Sequence, residues 1–396
     1  MSSLVEIKTD APCQMTGYLA IDSLVGGAAH GGLRISLDVS PGLLRSAART
    51  MTLKYGFARL PVGGAKAAIH ADPELPPAER MALLEAFGRA IQPFLRTGMY
   101  VPGEDMGSSS DDVRHVLRAA GVNPRAQDLM YATSGYYTGV GVCASALAAA
   151  HTVGLATPGV RVAIEGFGSV GSALAASLHD RGACVVAVST SRGAVYNEEG
   201  LDIPRMLQSR RELGNTVVLD TSLGDSIEPE SLMSLDVDIL CPCAIMHSIT
   251  CLNAQRVQAR IVCPGANVPI SEEAESSLEQ RDIVCIPDFV ANCGGVLGSS
   301  MSRAGLTSSR VAHVVSRRLE TETANLIDDA CRRERTLRSV ASGIASARFE
   351  HMKSQYETRN LSRACFRAAL GVYRRGLIPG ILVSPIAGWY FDRRWR

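Results

Sequence analysis

The sequence predicts an α/β fold with an N-terminal α/β domain, a doubly wound parallel-sheet domain and a helical C-terminal segment. Three observations carry this. The 396 residues suffice for two cores. From Val160 onward the pattern runs strand, glycine turn, helix, strand, which is a βαβ unit. Beyond residue 300 strand patterns give way to helix rich in Arg, Glu, Leu and Ala. The expected boundaries are 1–135, 136–300 and 301–396.

In the first segment Tyr18–Asp22 and Leu33–Leu37 read as strands. Pro41–Tyr55 reads as a helix, with Ser40 as N-cap and Pro41 at the first helical position. Ala78–Gln92 is a second helix, ended or kinked by Pro93. Asp111–Ala120 is a third, capped by serines 108–110. In the second segment Val140–Val153 is an alanine-rich helix and Val160–Glu165 a strand. The next helix runs to His179, and Cys184–Ser189 is the following strand. Further strands are expected at Val237–Leu240, Ala259–Cys263 and Ile283–Ile286. Ser308–Arg333 and Thr336–Met352 are helices.

The turn of the βαβ unit is Gly166-Phe167-Gly168-Ser169-Val170-Gly171. G-x-G-x-x-G after a strand and before a helix fits a dinucleotide. The first glycine permits the tight turn, the second lets backbone approach pyrophosphate, and the third lets helix and strand pack closely. Such a turn alone could be a mere tight connection; its βαβ context makes it a Rossmann-type cofactor site. The second strand ends in Ser189-Thr190-Ser191-Arg192, without the acid that bonds a free ribose. Thr190 and Arg192 suit a 2′-phosphate, which favours NADP over NAD, although Arg192 could equally be a solvated turn residue.

Composition excludes several classes. Net charge is +1 with no long run of one sign, so no nucleic-acid partner is expected. Eleven cysteines follow no framework spacing, and Cys241 and Cys243 form a lone C-x-C. Reduced thiols of a cytoplasmic protein, with no metal site, are the expectation. No apolar run reaches the ~18 residues a membrane span needs; the 377–391 stretch is broken by Pro379 and Pro385.

Two lysines and a carboxylate stand in apolar, glycine-rich wording: Met51-Thr52-Leu53-Lys54, Gly63-Gly64-Ala65-Lys66 and Val101-Pro102-Gly103-Glu104-Asp105-Met106-Gly107. A buried lysine needs a partner or gives up its proton. Two lysines together would lower each other's pKa, and an acid nearby would restrain that. Such a set prepares one lysine as a carboxylate clamp and another as a base.

These motifs, with Gly31-Gly32-Leu33-Arg34, Gly265-Ala266-Asn267 and Asn292-Cys293-Gly294-Gly295-Val296, are similar to those of the glutamate/leucine/phenylalanine/valine dehydrogenases. The resemblance runs from about Gly17 to about Arg348. It implies NAD(P)-dependent oxidative deamination of an L-amino acid to its 2-oxo acid and ammonia. It makes the first domain the substrate and dimerisation domain, with the C-terminal helices returning to it. Lys54 then binds the substrate α-carboxylate, Lys66 activates water, and Asp105 exchanges protons with the amino group. Met51, Gly31 and Gly32 line the substrate site, while Thr138, Asn267 and Asn292 belong to the cofactor side. Asn267 also touches substrate.

The resemblance is closest to the glutamate branch, with departures. Tyr55 follows Lys54 where asparagine is usual, Ala67 and Ala68 replace two glycines after Lys66, and Pro264 replaces an acid. His30 stands where glutamate-type members carry a side-chain-binding lysine, whereas Ser299 matches a serine that binds the same carboxylate. A glutamate-like enzyme with an altered pocket is expected. The alternatives are a dehydrogenase for a hydrophobic or specialised amino acid, and a non-catalytic cofactor-binding regulator. A homo-oligomer is implied, though few residues precede Gly17 compared with the family. The aromatic, basic stretch from Trp389 could dock on a neighbouring subunit or an anionic surface, or pack on its own domain.

Overall fold

The computed structural model describes residues 3–9, 14–123, 134–357 and 391. The chain divides into two compact units. The first comprises Met1–Ala132, Ser300–Leu306 and Ile344–Arg396; the second comprises Thr133–Ser299 and Thr307–Gly343. Apart from Phe391, the 377–396 tail lies outside the described residues.

The first unit holds a five-stranded sheet of β1 (Ser3–Thr9), β2 (Met15–Ile21), β3 (Ala29–Ser36), β4 (Gly63–His70) and β5 (Tyr100–Glu104), in the order β1-β2-β4-β3-β5. The first three in that order pair antiparallel, and β4, β3 and β5 run parallel. Parallel neighbours need a crossover. Helix α1 (Pro41–Phe57) links β3 to β4; α2 (Pro77–Ala90) and α3 (Gln92–Arg96) link β4 to β5. Helix α4 (Ser110–Ala119) follows β5. Leu19, Leu33, Ile35, Ala67 and Ile69 pack with Leu84, Phe87 and Val116 from α2 and α4. On the other face Ala20 and Ala68 pack with Leu44 and Ala48 of α1.

The expected caps hold, with one refinement. Ser40 accepts the Leu43 N–H, and Pro41 opens α1. Ser109 alone caps α4, in a capping box with Asp112. Ser108 does something else, described below.

The second unit holds a seven-stranded sheet: β6 (Arg161–Glu165), β7 (Cys184–Thr190), β8 (Gly193–Tyr196), β9 (Asp225–Ile227), β10 (Ile239–Pro242), β11 (Ile261–Val262) and β12 (Val284–Cys285). Their order is β12-β11-β10-β6-β7-β8-β9. The first five in that order are parallel, and β8 and β9 continue antiparallel. Strand order reverses at β6, and ligands of doubly wound folds bind beyond the strand ends at such a point. The helices are α5 (Ser134–Thr152), α6 (Ser169–Asp180), α7 (Ile203–Leu213), α8 (Glu272–Glu279), α9 (Asp288–Ala291) and α10 (Gly294–Arg303). They are followed by α11 (Ser308–Arg333) and the start of α12 (Leu337–Glu357); α10 from Ser300 and α12 from Ile344 belong to the first unit.

Helix α11 packs along α5 within this second unit, whereas the sequence reading set all of 301–396 against the first. Val311, Val315, Leu319 and Leu326 are buried, a stripe at helical spacing. The stripe meets small residues of α5: a Cβ on Gly141 would lie 2.6 Å from Leu319 Cδ1. Thr323 Oγ1 donates to Ser145 Oγ at 3.0 Å inside this contact. A helical pattern reports that a face is buried, not what buries it.

Candidate active site

Lys66 sits on β4, opposite Ala20 of β2. Its face of the sheet is the one covered by α1, because a Cβ on neighbouring Gly64 would lie 2.3 Å from Thr52 N. β3 contributes His30, Gly32 and Arg34 to that face by alternation. Asp105 follows the last residue of β5, over Gly32, where an added Cβ would come within 2.8 Å of Asp105 Cβ. The glycine thus leaves room for the carboxylate. Ser108 pins the turn: its Oγ accepts the Asp105 N–H at 3.0 Å and donates to Leu33 O at 2.6 Å. Gly31 has a packing reason to be glycine, since a Cβ there would meet Ala65 O.

Lys66 Nζ lies 2.7 Å from Asp105 Oδ2, and the two side chains are 5% and 9% exposed. Arg34 Nε donates to the same oxygen at 3.0 Å. Burial pushes the Lys66 ammonium below its usual range; Asp105 opposes that, and Arg34 adds to it. Burial would raise the Asp105 carboxyl, but Lys66, Arg34 and the Met106 N–H outweigh it and hold it at about 2. The acid is therefore a carboxylate, and the lysine is eased toward its neutral form. The leading cationic influence on Lys66 is Arg34, not the second lysine the sequence suggested.

Lys54 is 5% exposed, near the end of α1, with Met51 half-buried one turn before it. The ring of His30 meets that of Tyr55 edge-on, centroids 6.2 Å apart. Two positions that depart from the family wording are thus neighbours.

In the second unit Gly166 has φ +92°, a conformation that suits glycine, and its N–H donates to Ser189 O at 3.1 Å. A Cβ on Gly171 would lie 1.8 Å from Gly166 O. Gly168 differs: a Cβ there would meet nothing within 4 Å, so no protein atom demands its glycine. Gly168 caps the exposed start of α6 and offers no side-chain acceptor to the first turn. An open cradle above free helix N–H groups fits a pyrophosphate. Ser169 is exposed and Val170 half-buried there. The Phe167 side chain is buried, with Arg210 5.9 Å from its ring centroid, so its backbone alone belongs to the cradle.

At the end of β7, Thr190 Oγ1 donates to Asn215 O at 2.7 Å and accepts the Arg192 N–H. Arg192 is exposed. Thr138 Oγ1 donates to Ser134 O at 2.8 Å and lies beside Gly295. Asn292 is buried; its Nδ2 donates to Ala266 O at 2.8 Å and approaches Asn267 Oδ1 at 3.4 Å. Those acceptors fix the amide's orientation and leave Asn292 Oδ1 buried without a partner among the described residues. Ser299 Oγ, on α10, is likewise buried and unpartnered. Unmet buried polar atoms are costly, and both suit an outside donor or acceptor.

In the sequence Arg34 stands out only as part of its glycine motif, and Ser108 reads only as a cap. Neither role has a local signal, since Arg34 lies 71 residues from Asp105. Among the described residues no group of three or more His, Cys, Asp or Glu could hold a metal ion, and no helix is long and apolar enough to cross a membrane.

Comparison with known proteins covers both units. The family description Glutamate/Leucine/Phenylalanine/Valine dehydrogenase matches residues 133–358, and the Glu/Leu/Phe/Val dehydrogenase dimerisation domain matches residues 2–120. A glutamate dehydrogenase of Thermotoga maritima is 34% identical over 294 residues, covering 71% of this chain and 70% of that protein. The catabolic NAD-specific glutamate dehydrogenase of Bacillus subtilis is 33% identical, covering 71% and 68%. The leucine-bound hetero-hexameric glutamate dehydrogenase of Thermus thermophilus superposes with a TM-score of 0.75 at 25% identity, over 91% of this chain and 90% of that one.

Proposed function

The chain belongs to the glutamate/leucine/phenylalanine/valine dehydrogenase family, and from that premise we propose that it reversibly deaminates an L-amino acid to its 2-oxo acid and ammonia. It is an amino-acid dehydrogenase acting on a CH–NH2 group and using NAD(P). The observation that carries the reading is the buried Lys66–Asp105 pair. Lys54 holds the α-carboxylate. The nicotinamide cofactor supplies the acceptor for the Cα hydride. Lys66, as a neutral amine, takes a proton from the water that adds to the iminium carbon. The Asp105 carboxylate takes and returns protons at the departing nitrogen.

Residue choice supports this assignment. Of the chain's 40 lysines and arginines only four are lysines: Lys8, Lys54, Lys66 and Lys353. Arginine serves as the cation at most positions, yet two of the four lysines, Lys54 and Lys66, are buried in the first unit. A compact ammonium that can lose its proton is what a base requires, and guanidinium cannot supply it.

The substrate side chain is the finer question. The His30–Tyr55 ring pair replaces the lysine of glutamate-type members, which favours a glutamate-like enzyme with an altered pocket. Ring edges also favour a second reading, a hydrophobic or specialised amino acid. Absorbance at 340 nm across the common L-amino acids, with NAD and NADP, tests both. Reduction with glutamate alone would remove the second reading; reduction with none, while cofactor still binds, would leave a specialised amino acid or a non-catalytic cofactor binder. The exposed Arg192 is our candidate partner for a 2′-phosphate. Arg192→Ala should then weaken NADPH about tenfold and leave NADH unchanged; equal losses for both would discard that role. A homo-oligomer remains part of the proposal, and light scattering of the purified chain checks it.

A further inference from the structure

We propose that Arg34 is a positioning residue that holds Asp105 independently of Lys66, so that Lys66 can release its proton without stranding a buried carboxylate. The inference rests on the assignment of Lys66 as base.

The geometry is specific. Lys66 Nζ at 2.7 Å and Arg34 Nε at 3.0 Å converge on one oxygen of Asp105. Two strand registers fix the guanidinium. Arg34 pairs with Ala68 of β4, and the preceding Leu33 pairs with Glu104, next to Asp105. With Lys66 as sole partner, every deprotonation would leave a carboxylate buried and unpaired, which is strongly unfavourable. The lysine would then keep its proton and fail as a base. A guanidinium remains charged at any working pH. Its presence removes the penalty and opposes the lysine's charge directly.

Other groups around Lys66 do not duplicate this. From β2 the same face receives Tyr18 and Ala20, partners of Ala68 and Lys66. Asp22, just after β2, accepts the Thr52 hydroxyl at 2.6 Å and lies 3.6 Å from Arg49. β3 contributes His30, which meets Tyr55. From α1 comes Lys54, a second cation. Asp105 is the carboxylate on Lys66, and Arg34 is the cation that adds to burial in disfavouring the ammonium.

The test is the pH dependence of kcat/KM for the wild type, Arg34→Lys and Arg34→Gln. The acid limb should move to higher pH by about one unit in Arg34→Gln, a roughly tenfold loss at a fixed pH below the limb. Arg34→Lys keeps a cation and should restore the limb to within a few tenths of a unit. A merely structural role would lower activity at every pH and leave the limb in place; that result overturns the proposal. Should Arg34→Gln fail to fold, Arg34→Met, which keeps the length of the side chain without its charge, decides. With only four lysines, 13Cε-lysine labelling gives a spectrum in which Lys66 can be followed. A Lys66 titration raised by about one unit in Arg34→Met relative to the wild type supports the proposal, and an unchanged titration, which burial alone would give, refutes it. Lys66→Ala separates the two layers of argument. If that variant is nearly inactive and the Arg34→Gln limb is unmoved, the Arg34 inference fails alone. If Lys66→Ala turns over normally, the base assignment fails and takes this inference with it.

Discussion

Each unit buries an ionic cluster, and the two are built in opposite senses. In the first, two cations meet one carboxylate oxygen: Lys66 and Arg34 on Asp105. In the second, one cation meets two carboxylates, with Arg338 Nε 2.6 Å from Glu275 and its Nη1 3.3 Å from Asp288. The second cluster spends its acids on the protein itself. Asp288 Oδ2 accepts the Val268 N–H at 3.0 Å, and Arg338 lies 5.9 Å from the Phe289 ring centroid. Burial pushes the Glu275 carboxyl up despite Arg338, which eases the surplus negative charge. In the first cluster burial and Arg34 together favour proton loss from Lys66, against the pull of Asp105. A perturbed acid or base therefore does not by itself mark function.

The largest expected effect follows from that contrast. Lys66→Ala should lower turnover by about 10²–10⁴-fold, the usual scale for loss of an acid–base group. Cofactor affinity, measured by fluorescence titration, should stay within about twofold, because Lys66 belongs to the first unit and the glycine turn to the second. Removing an acid of the second cluster should do the reverse. Asp288→Ala strips partners from Arg338 and Val268 N at a site 1% exposed. It should cost about 2–4 kcal/mol in urea unfolding while leaving turnover per folded molecule within about tenfold. A variant that folded normally but was dead would move this cluster into the catalytic account.

Legibility in the sequence followed the same division between local and distant causes. Helix α11 was read with its observed bounds, because its stripe and its Arg332–Arg333 end are local signals. The βαβ unit was legible for the same reason. β4, which carries Lys66, was recognised as a motif but not as a strand. Gly63-Gly64-Ala65-Lys66-Ala67-Ala68 has poor strand propensity; its two glycines answer to the close approach of the Ser23–Leu24 backbone at Gly63 and of α1 at Gly64. β1, β5, β8 and β9 are likewise absent from the strands the sequence predicts. The Arg34–Asp105 bond and the His30–Tyr55 contact join residues far apart in sequence, so no periodicity announces them. The motif grammar named Lys54, Lys66 and Asp105; the fold supplied what tunes two of them.

The smallest effect is also the one that separates the clusters by sign. The folded pKa of Asp105, about 2, lies below the ~3.9 of an unfolded aspartate. Between those values the unfolded chain binds more protons, so stability rises with pH. The contribution, about 2 kcal/mol, is complete above about pH 4 and fades as pH falls toward 2. Glu275 works the other way. Its folded pKa is raised, so the folded chain binds more protons just above the ordinary glutamate range, and stability falls with rising pH there. Urea midpoints measured from pH 3 to 7 should therefore lose part of their rise in Asp105→Asn and part of their fall in Glu275→Gln. Parallel pH profiles for the two variants would mean that the clusters do not differ in the sense proposed, since opposite surpluses of charge cannot give the same proton linkage.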